Sequence, residues 1–202
     1  METRQSGPIG RPRAFDADEA LERAMLVFWE HGYEGASLSR LTEAMGISTT
    51  SMYAAFGNKE ELFRKALERY TEGPGGYLTR ALEEPTALGV ATSILAGTVR
   101  TTTRSAGPPG CLGVQGALAA SDSGREVREL LVAWREDGCC RVRDRFQRAV
   151  EEGDLPPETD VTVLARYVTA LAFGIAVQAA SGVGRDELQA MADAALRTWP
   201  LS

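Results

Sequence analysis

Histidine is nearly missing from this 202-residue chain, His31 being the only one. A Ser-His-Asp or Cys-His centre would have to draft that residue, and a catalytic zinc would lack its usual imidazole ligands. Three cysteines, Cys111, Cys139 and Cys140, are too few for a disulfide framework, and the adjacent pair lacks zinc-type spacing. A reducing cytoplasm is the expected setting. No P-loop or dinucleotide glycine pattern occurs, which argues against phosphoryl-transfer and nicotinamide chemistry. Glu151, Glu152 and Asp154 cluster beside Gly153 and Pro156 as a solvated helix end does. The expectation is therefore not an enzyme, with no cofactor and no metal.

Positive charge is not in excess either. Lys plus Arg number 22 against 28 Asp plus Glu, a net charge of −6, with 9 against 11 in residues 1–70 and 13 against 17 in residues 71–202. An acidic total repels phosphate at long range, so nucleic-acid binding would have to rest on a local face. Long hydrophobic runs are also scarce. The longest, residues 167–180, is interrupted by Thr169, Gly174 and Gln178 and falls short of the roughly 20 residues a bilayer-spanning helix needs. No membrane partner is expected. The first fourteen residues carry Arg4, Arg11 and Arg13 among glycines and prolines but no apolar stretch, which reads as a flexible basic arm and not a secretory leader.

What the chain has is helical periodicity. Runs of alternating β-branched residues bounded by turns do not stand out, and the spacing predicts an all-α protein of about nine helices. Leu21, Ala24, Met25 and Phe28 fall on one face of a first helix, opened by Asp16 and Glu19 at capping-box spacing and ended by Gly32. Ser37 caps a second helix holding Leu38, Leu41 and Met45, and Gly46 breaks it. Ser48 caps a third, with Met52 and Phe56 facing inward before Gly57. Asn58 and Glu61 repeat the cap spacing for a fourth, striped by Phe63, Leu67 and Tyr70. Glycines and a proline at 73–76 then interrupt the chain, placing a boundary between residues 15–70 and residues 71–202.

Beyond it, Leu88, Ala91, Leu95, Val99 and Thr102 suggest a fifth helix, and a short sixth runs from Cys111 to Leu118. Val127, Leu131, Trp134, Gly138, Val142, Phe146 and Ala149 form the longest stripe, ended by Gly153. Val161–Ala180 carries two stripes at once: Leu164, Val168, Leu171 and Ile175 on one, Val163, Tyr167, Ala170, Gly174 and Val177 on the other. A helix apolar on two sides is covered on two sides, whether by its own subunit alone or also by a twin. Leu188, Met191, Ala195 and Trp199 mark a last amphipathic helix.

The second and third helices, joined by a glycine-containing turn, have helix-turn-helix geometry. With Met52 and Phe56 holding the third helix down, Thr49, Thr50, Ser51 and Tyr53 are free to meet base edges and phosphates. The run Gly46-Ile47-Ser48-Thr49-Thr50-Ser51-Met52-Tyr53-Ala54-Ala55-Phe56-Gly57-Asn58-Lys59-Glu60-Glu61-Leu62-Phe63, preceded by Ser37-Leu38, resembles the DNA-binding domain of TetR-type repressors over residues 14–63. Ala54 and Ala55 depart from it, standing where many members carry larger aromatic or histidine side chains.

The resemblance implies that Ser48, Thr49, Thr50 and Ser51 lie at the major groove, with Tyr53, Lys59, Ser37 and Arg40 on phosphates. Ser37 and Lys59 also sit at helix N-termini, which attract anions. Arg11 and Arg13 would enter the minor groove. It further implies a homodimer on double-stranded operator DNA, paired through Leu164, Val168, Leu171, Gly174, Ile175, Leu188, Met191, Ala195 and Trp199. An unknown small-molecule effector would lie among Leu95, Val99, Cys111, Leu112, Gln115, Trp134 and Phe173, an apolar lining with few polar handles. Cys111 reads as inert packing in preference to a redox sensor. The alternative is a helical small-molecule-binding protein that does not bind an operator.

Overall fold

The computed structural model describes residues 15–115 and 124–199, and among these the regular structure is ten α-helices with short 3-10 stretches and no strand. Helix α1 (Ala17–Gly35) starts at Asp16, whose carboxylate accepts from the Asp18 and Glu19 amides. Glu19 turns to Arg23 one turn on, not back to the cap. The helix kinks at Gly32, where φ is 66°, and runs one turn further than the sequence suggests. Ser37 and Ser48 cap α2 (Leu38–Met45) and α3 (Thr49–Phe56) by accepting from the Arg40 and Ser51 amides. Between them Gly46 is left-handed (φ 68°, ψ 28°), and the amides of Gly46 and Ile47 return to the Glu43 and Thr42 carbonyls at 3.1 Å each. A side chain at that φ would strain the turn that sets α3 against α2.

Helix α4 (Lys59–Glu72) has a complete capping box. Asn58 Oδ1 accepts the Glu61 amide at 2.8 Å, and Glu61 Oε2 accepts the Asn58 amide at 3.0 Å. Asn58→Ala is expected to cost about 1 kcal/mol, read as a fall of roughly 2–4 °C in melting temperature for a chain of this size. An unchanged melting curve would mean the box contributes nothing.

A first core joins α1, α2, α3 and α4 through Met25, Phe28, Trp29, Leu41, Met52 and Phe63, all buried, with Phe28 and Phe63 edge-on at 5.0 Å. After the 3-10 turn Pro74–Gly76 comes α5 (Tyr77–Ala81), the helix the periodicity does not reveal. The others follow the expected order: α6 (Ala87–Thr102), α7 (Leu112–Gln115), α8 (Arg125–Glu151), α9 (Val161–Ala180) and α10 (Arg185–Leu196). Leu118, assigned to the sixth helix, lies outside the described residues. α6 packs on α9 and α10, and α8 on α9. Their shared core includes Ile94, Leu95, Val99, Val142, Phe146, Leu164, Val168 and Ile175.

Helix α9 corrects one sequence argument. It is 20 residues long and apolar enough to cross a membrane by length and composition alone. Burial of Leu164, Ala165, Val168, Ala172, Ile175 and Ala176 inside the subunit makes it a core helix instead. The packing also runs past the boundary at 70–76, because Cys111, Leu112, Val114, Val127, Leu131 and Ala176 complete the first core.

Candidate nucleic-acid interface and interior cavity

Helix α3 is held by two side chains. Met52 and Phe56 are buried, while Ser48, Thr49, Thr50 and Tyr53 are exposed, Tyr53 by 46%. Ser51 is half-buried. The Ser48 hydroxyl accepts the Ser51 amide at 3.1 Å and lies 2.9 Å from the Ser51 hydroxyl, so this pair is occupied with the cap. No charged residue falls within α3, so its outer face presents hydroxyls, methyls and one phenol. Such groups suit hydrogen bonding and methyl contact with bases, without carboxylate repulsion of phosphates.

The flanking residues gather at helix starts. Ser37 is exposed and caps α2, and exposed Arg40 donates from Nη1 to the Gly35 carbonyl at 3.0 Å. Lys59 opens α4 with its ammonium 4.2 Å from the centre of the Tyr33 ring. Burial lowers the Lys59 pKa from its ordinary value, and the Glu34 and Glu60 carboxylates oppose that. Tyr33 donates to Glu60 at 2.7 Å. His31 is exposed, 3.8 Å from the Glu30 carboxylate. Arg11 and Arg13 lie outside the described residues.

The two stripes of α9 have different fates. Leu164, Val168 and Ile175 are buried in the subunit and Leu171 partly so, whereas Ala170 and Gly174 are exposed, as are Val163 (57%) and Val177 (41%). On α10 Leu188 is buried, Met191 and Ala195 are partly covered, and beyond its end Trp199 packs on Phe146 at 5.7 Å. This corrects the expected pairing surface: Leu164, Val168, Ile175 and Leu188 have no area left for a partner. Of the nine, Gly174 alone is exposed, and a Cβ placed on it meets nothing within 4 Å. Both stripes share one period, but the buried one carries the larger aliphatics, Leu164, Val168 and Ile175, and the exposed one the smaller Ala170 and Gly174, so the docking of α6 and α8 takes the bulkier face.

A cavity of about 90 Å³ lies among the end of α4, α5, α6, α8 and α9, with Tyr77, Ile94, Trp134, Cys139, Thr169 and Phe173 among its walls. Of the expected effector walls, Trp134 and Phe173 are there. The other five are not: Leu95 and Val99 belong to the second core, Cys111 and Leu112 to the first, and Gln115 donates to the Pro109 carbonyl at 3.2 Å. Their stripes point between helices, and the cavity opens where five helices fail to close. Tyr77, Cys139 and Thr169 complete the walls and carry no periodic signal of that role. Glycines inside helices were the available signal. A Cβ on Gly97 would come within 2.6 Å of the Tyr77 ring, and one on Gly113 within 2.3 Å of Trp134, so both aromatic walls lie against bare backbone.

These walls touch the N-terminal helices directly. The Trp134 indole donates to the Thr71 hydroxyl of α4 at 2.8 Å. Tyr70, also on the cavity, meets Trp29 of α1 edge-on at 4.8 Å and donates to the Cys111 thiol at 3.2 Å. Trp29 donates to the Gly110 carbonyl at 3.1 Å beneath the Arg104 guanidinium. Burial raises the Cys111 thiol, the Tyr70 hydrogen bond opposing it, so this sulfur is held as the neutral thiol.

Known proteins resemble this arrangement along its length. Residues 20–66 match the family described as bacterial regulatory proteins, tetR family, and residues 89–196 the tetracyclin repressor-like C-terminal domain. The HTH-type transcriptional repressor ComR of Escherichia coli is 32% identical over 193 residues, 95% of this chain and 92% of that protein. The HTH-type regulator YezE of Bacillus subtilis is 30% identical over 93% of this chain and 98% of its own. A cysteine variant of the TetR family transcriptional regulator CifR, solved with 26-base-pair operator DNA, is 45% identical with a TM-score of 0.91, covering 95% of this chain and all of that one.

Proposed function

The chain belongs to the TetR family of DNA-binding transcriptional regulators, and on that premise we propose that it is a cytoplasmic homodimeric repressor released from a palindromic operator by a small molecule. The observation that carries the reading is α3: an uncharged, hydroxyl-bearing helix pinned by Met52 and Phe56 and open on its other side. Two such helices, related by a two-fold axis, would enter successive major grooves about 34–36 Å apart. Thr49, Thr50 and Ser51 meet base edges there, Ser48 lies alongside as the cap, and Ser37, Arg40, Tyr53 and Lys59 meet phosphates. Lys59, half-buried over the edge of the core at Tyr33, would exchange that ring for a phosphate, a full opposite charge. Arg11 and Arg13 supply a minor-groove arm.

The partner surface is the exposed stripe Val163, Ala170, Gly174 and Val177 of α9 beside Ala190 and Ala194 of α10. The effector site is the cavity behind Trp134. Filling it acts on Tyr70 and Thr71 at the end of α4, the helix that carries Lys59 at its other end. To reverse occupancy from 99:1 to 1:99 an effector must prefer the released state by about 10⁴-fold.

A duplex selected from random sequence, followed by fluorescence anisotropy across salt, tests the reading. Affinity should fall steeply, its logarithm dropping by about 0.9 per neutralised phosphate for each tenfold rise in salt. Tyr53→Phe should weaken all sequences alike by roughly tenfold or more, a hydrogen bond to a charged phosphate contributing about 1.5–3 kcal/mol, whereas Thr50→Ala should change the preferred base at one position. A flat salt response would favour the small-molecule-binding alternative that the net charge of −6 suggests.

A further inference from the structure

We propose that the cavity walled by Tyr77, Trp134, Cys139, Thr169 and Phe173 takes a small uncharged molecule with a compact apolar body and one polar oxygen, seated against the Tyr77 hydroxyl. This names the ligand class of the site proposed above for the effector and rests on that placement. Size comes first. At about 90 Å³ the space is smaller than the roughly 150 Å³ apolar cavity that admits benzene, so about four to six non-hydrogen atoms fit without rearrangement. Fatty chains, polycyclic drugs and nucleotides are too large.

Charge comes second. The interior polar groups are the Tyr70, Thr71, Tyr77 and Thr169 hydroxyls, the Trp134 indole and the Cys139 thiol, of which Tyr70 donates to Cys111, Thr71 to the Leu67 carbonyl and Trp134 to Thr71. Burial raises Tyr77 well above an ordinary phenol, so it is held neutral. The charged lining residues are Arg135, Asp137 and Arg141. Arg135 donates to the Gly113 carbonyl at 3.0 Å and Arg141 to the Thr79 hydroxyl at 3.0 Å, while Asp137 is exposed and opposes an anion. A cation would therefore meet like charge from Arg135 and Arg141, and an anion would have to draw one of them off its Gly113 or Thr79 oxygen while losing its own hydration against aromatic rings.

Anchorage comes third. Thr169 donates to the Ala165 carbonyl at 2.8 Å, which occupies its proton. The Thr98 hydroxyl donates to the Tyr77 oxygen at 3.1 Å, sharing its proton with the Ile94 carbonyl at 2.8 Å. The phenol thus keeps its own O–H to donate to a ligand oxygen, and its ring is fixed against Gly97.

The test uses three five-atom probes: butanone, propanoate and butylammonium, titrated by saturation-transfer NMR against the full-length protein. Butanone should bind at least tenfold more tightly than either ion. Tyr77→Phe should weaken butanone by fivefold or more while leaving xenon uptake by the same cavity unchanged. Ala172→Leu, which fills the space, should abolish both, with a melting curve to show that each variant is folded. Propanoate or butylammonium matching butanone, no binding of any probe, or Tyr77→Phe binding as the parent does would each overturn the proposal. DNA binding is measured separately by anisotropy. Selective butanone binding without any DNA affinity would sink the repressor reading and leave the ligand class standing, and the reverse result would do the opposite.

Discussion

Gly174→Arg is expected to leave the subunit folded, halve the particle mass in sedimentation, and weaken operator binding by about 100-fold or more. Glycine in a helix interior costs roughly 1 kcal/mol relative to alanine, and within the subunit nothing uses its smallness, because a Cβ there meets no atom within 4 Å. The saving is available only to a neighbour pressed close to α9. Two arginines facing each other across a two-fold axis would hold the helices apart and bury like charges. A monomer engages one half-site, losing the effective-concentration gain of roughly 10²–10⁴ that a linked second site supplies. Leu164→Arg is the contrast: Leu164 is 3% exposed, so that change should unfold the subunit instead. If Gly174→Arg stays dimeric with full affinity, the pairing surface lies elsewhere.

Trp29→Ala should have the largest effect on stability. The side chain is fully buried, edge-on to Tyr70 and hydrogen-bonded to the Gly110 carbonyl. Truncating a buried tryptophan to alanine costs about 3–5 kcal/mol, a large part of the 5–15 kcal/mol that holds a typical domain together. A drop of roughly 10 °C in melting temperature is expected for a chain of this length. Trp29→Phe separates two effects. It keeps most of the packing but leaves the buried Gly110 carbonyl without its donor, at about 1–3 kcal/mol. Should both variants melt with the parent, the junction between α1 and the loop before α7 does not support the fold.

The N-terminal half was legible because its signals are local. Ser37, Ser48 and Asn58 announce helix starts within three residues, and Gly46 announces a stop by the φ it needs. The same periodicity found α6, α8 and α9 but passed over α5, whose five residues follow a glycine-rich turn and offer too little repeat. Period alone could not say which stripe of α9 faces in, because both repeat alike and the inward choice depends on the helices that dock there. Nor could it find the cavity. Tyr77, Trp134 and Thr169 come from three helices far apart in sequence, and a void is where periodic side chains fail to meet. Leu95 and Val99 read as walls for the same reason they are core: apolar residues at helical spacing fill space first.

The shared core also bears on how such a regulator can be taken apart. Cys111, Leu112, Val114, Val127, Leu131 and Ala176 cover Trp29, Tyr70 and their neighbours. A fragment cut after Glu72 would expose that seam to water and tend to aggregate instead of reading sequence. The head is not a detachable cassette. Chimeras that exchange operator preference between relatives should transplant α2 and α3 as a graft and leave the host's seam intact.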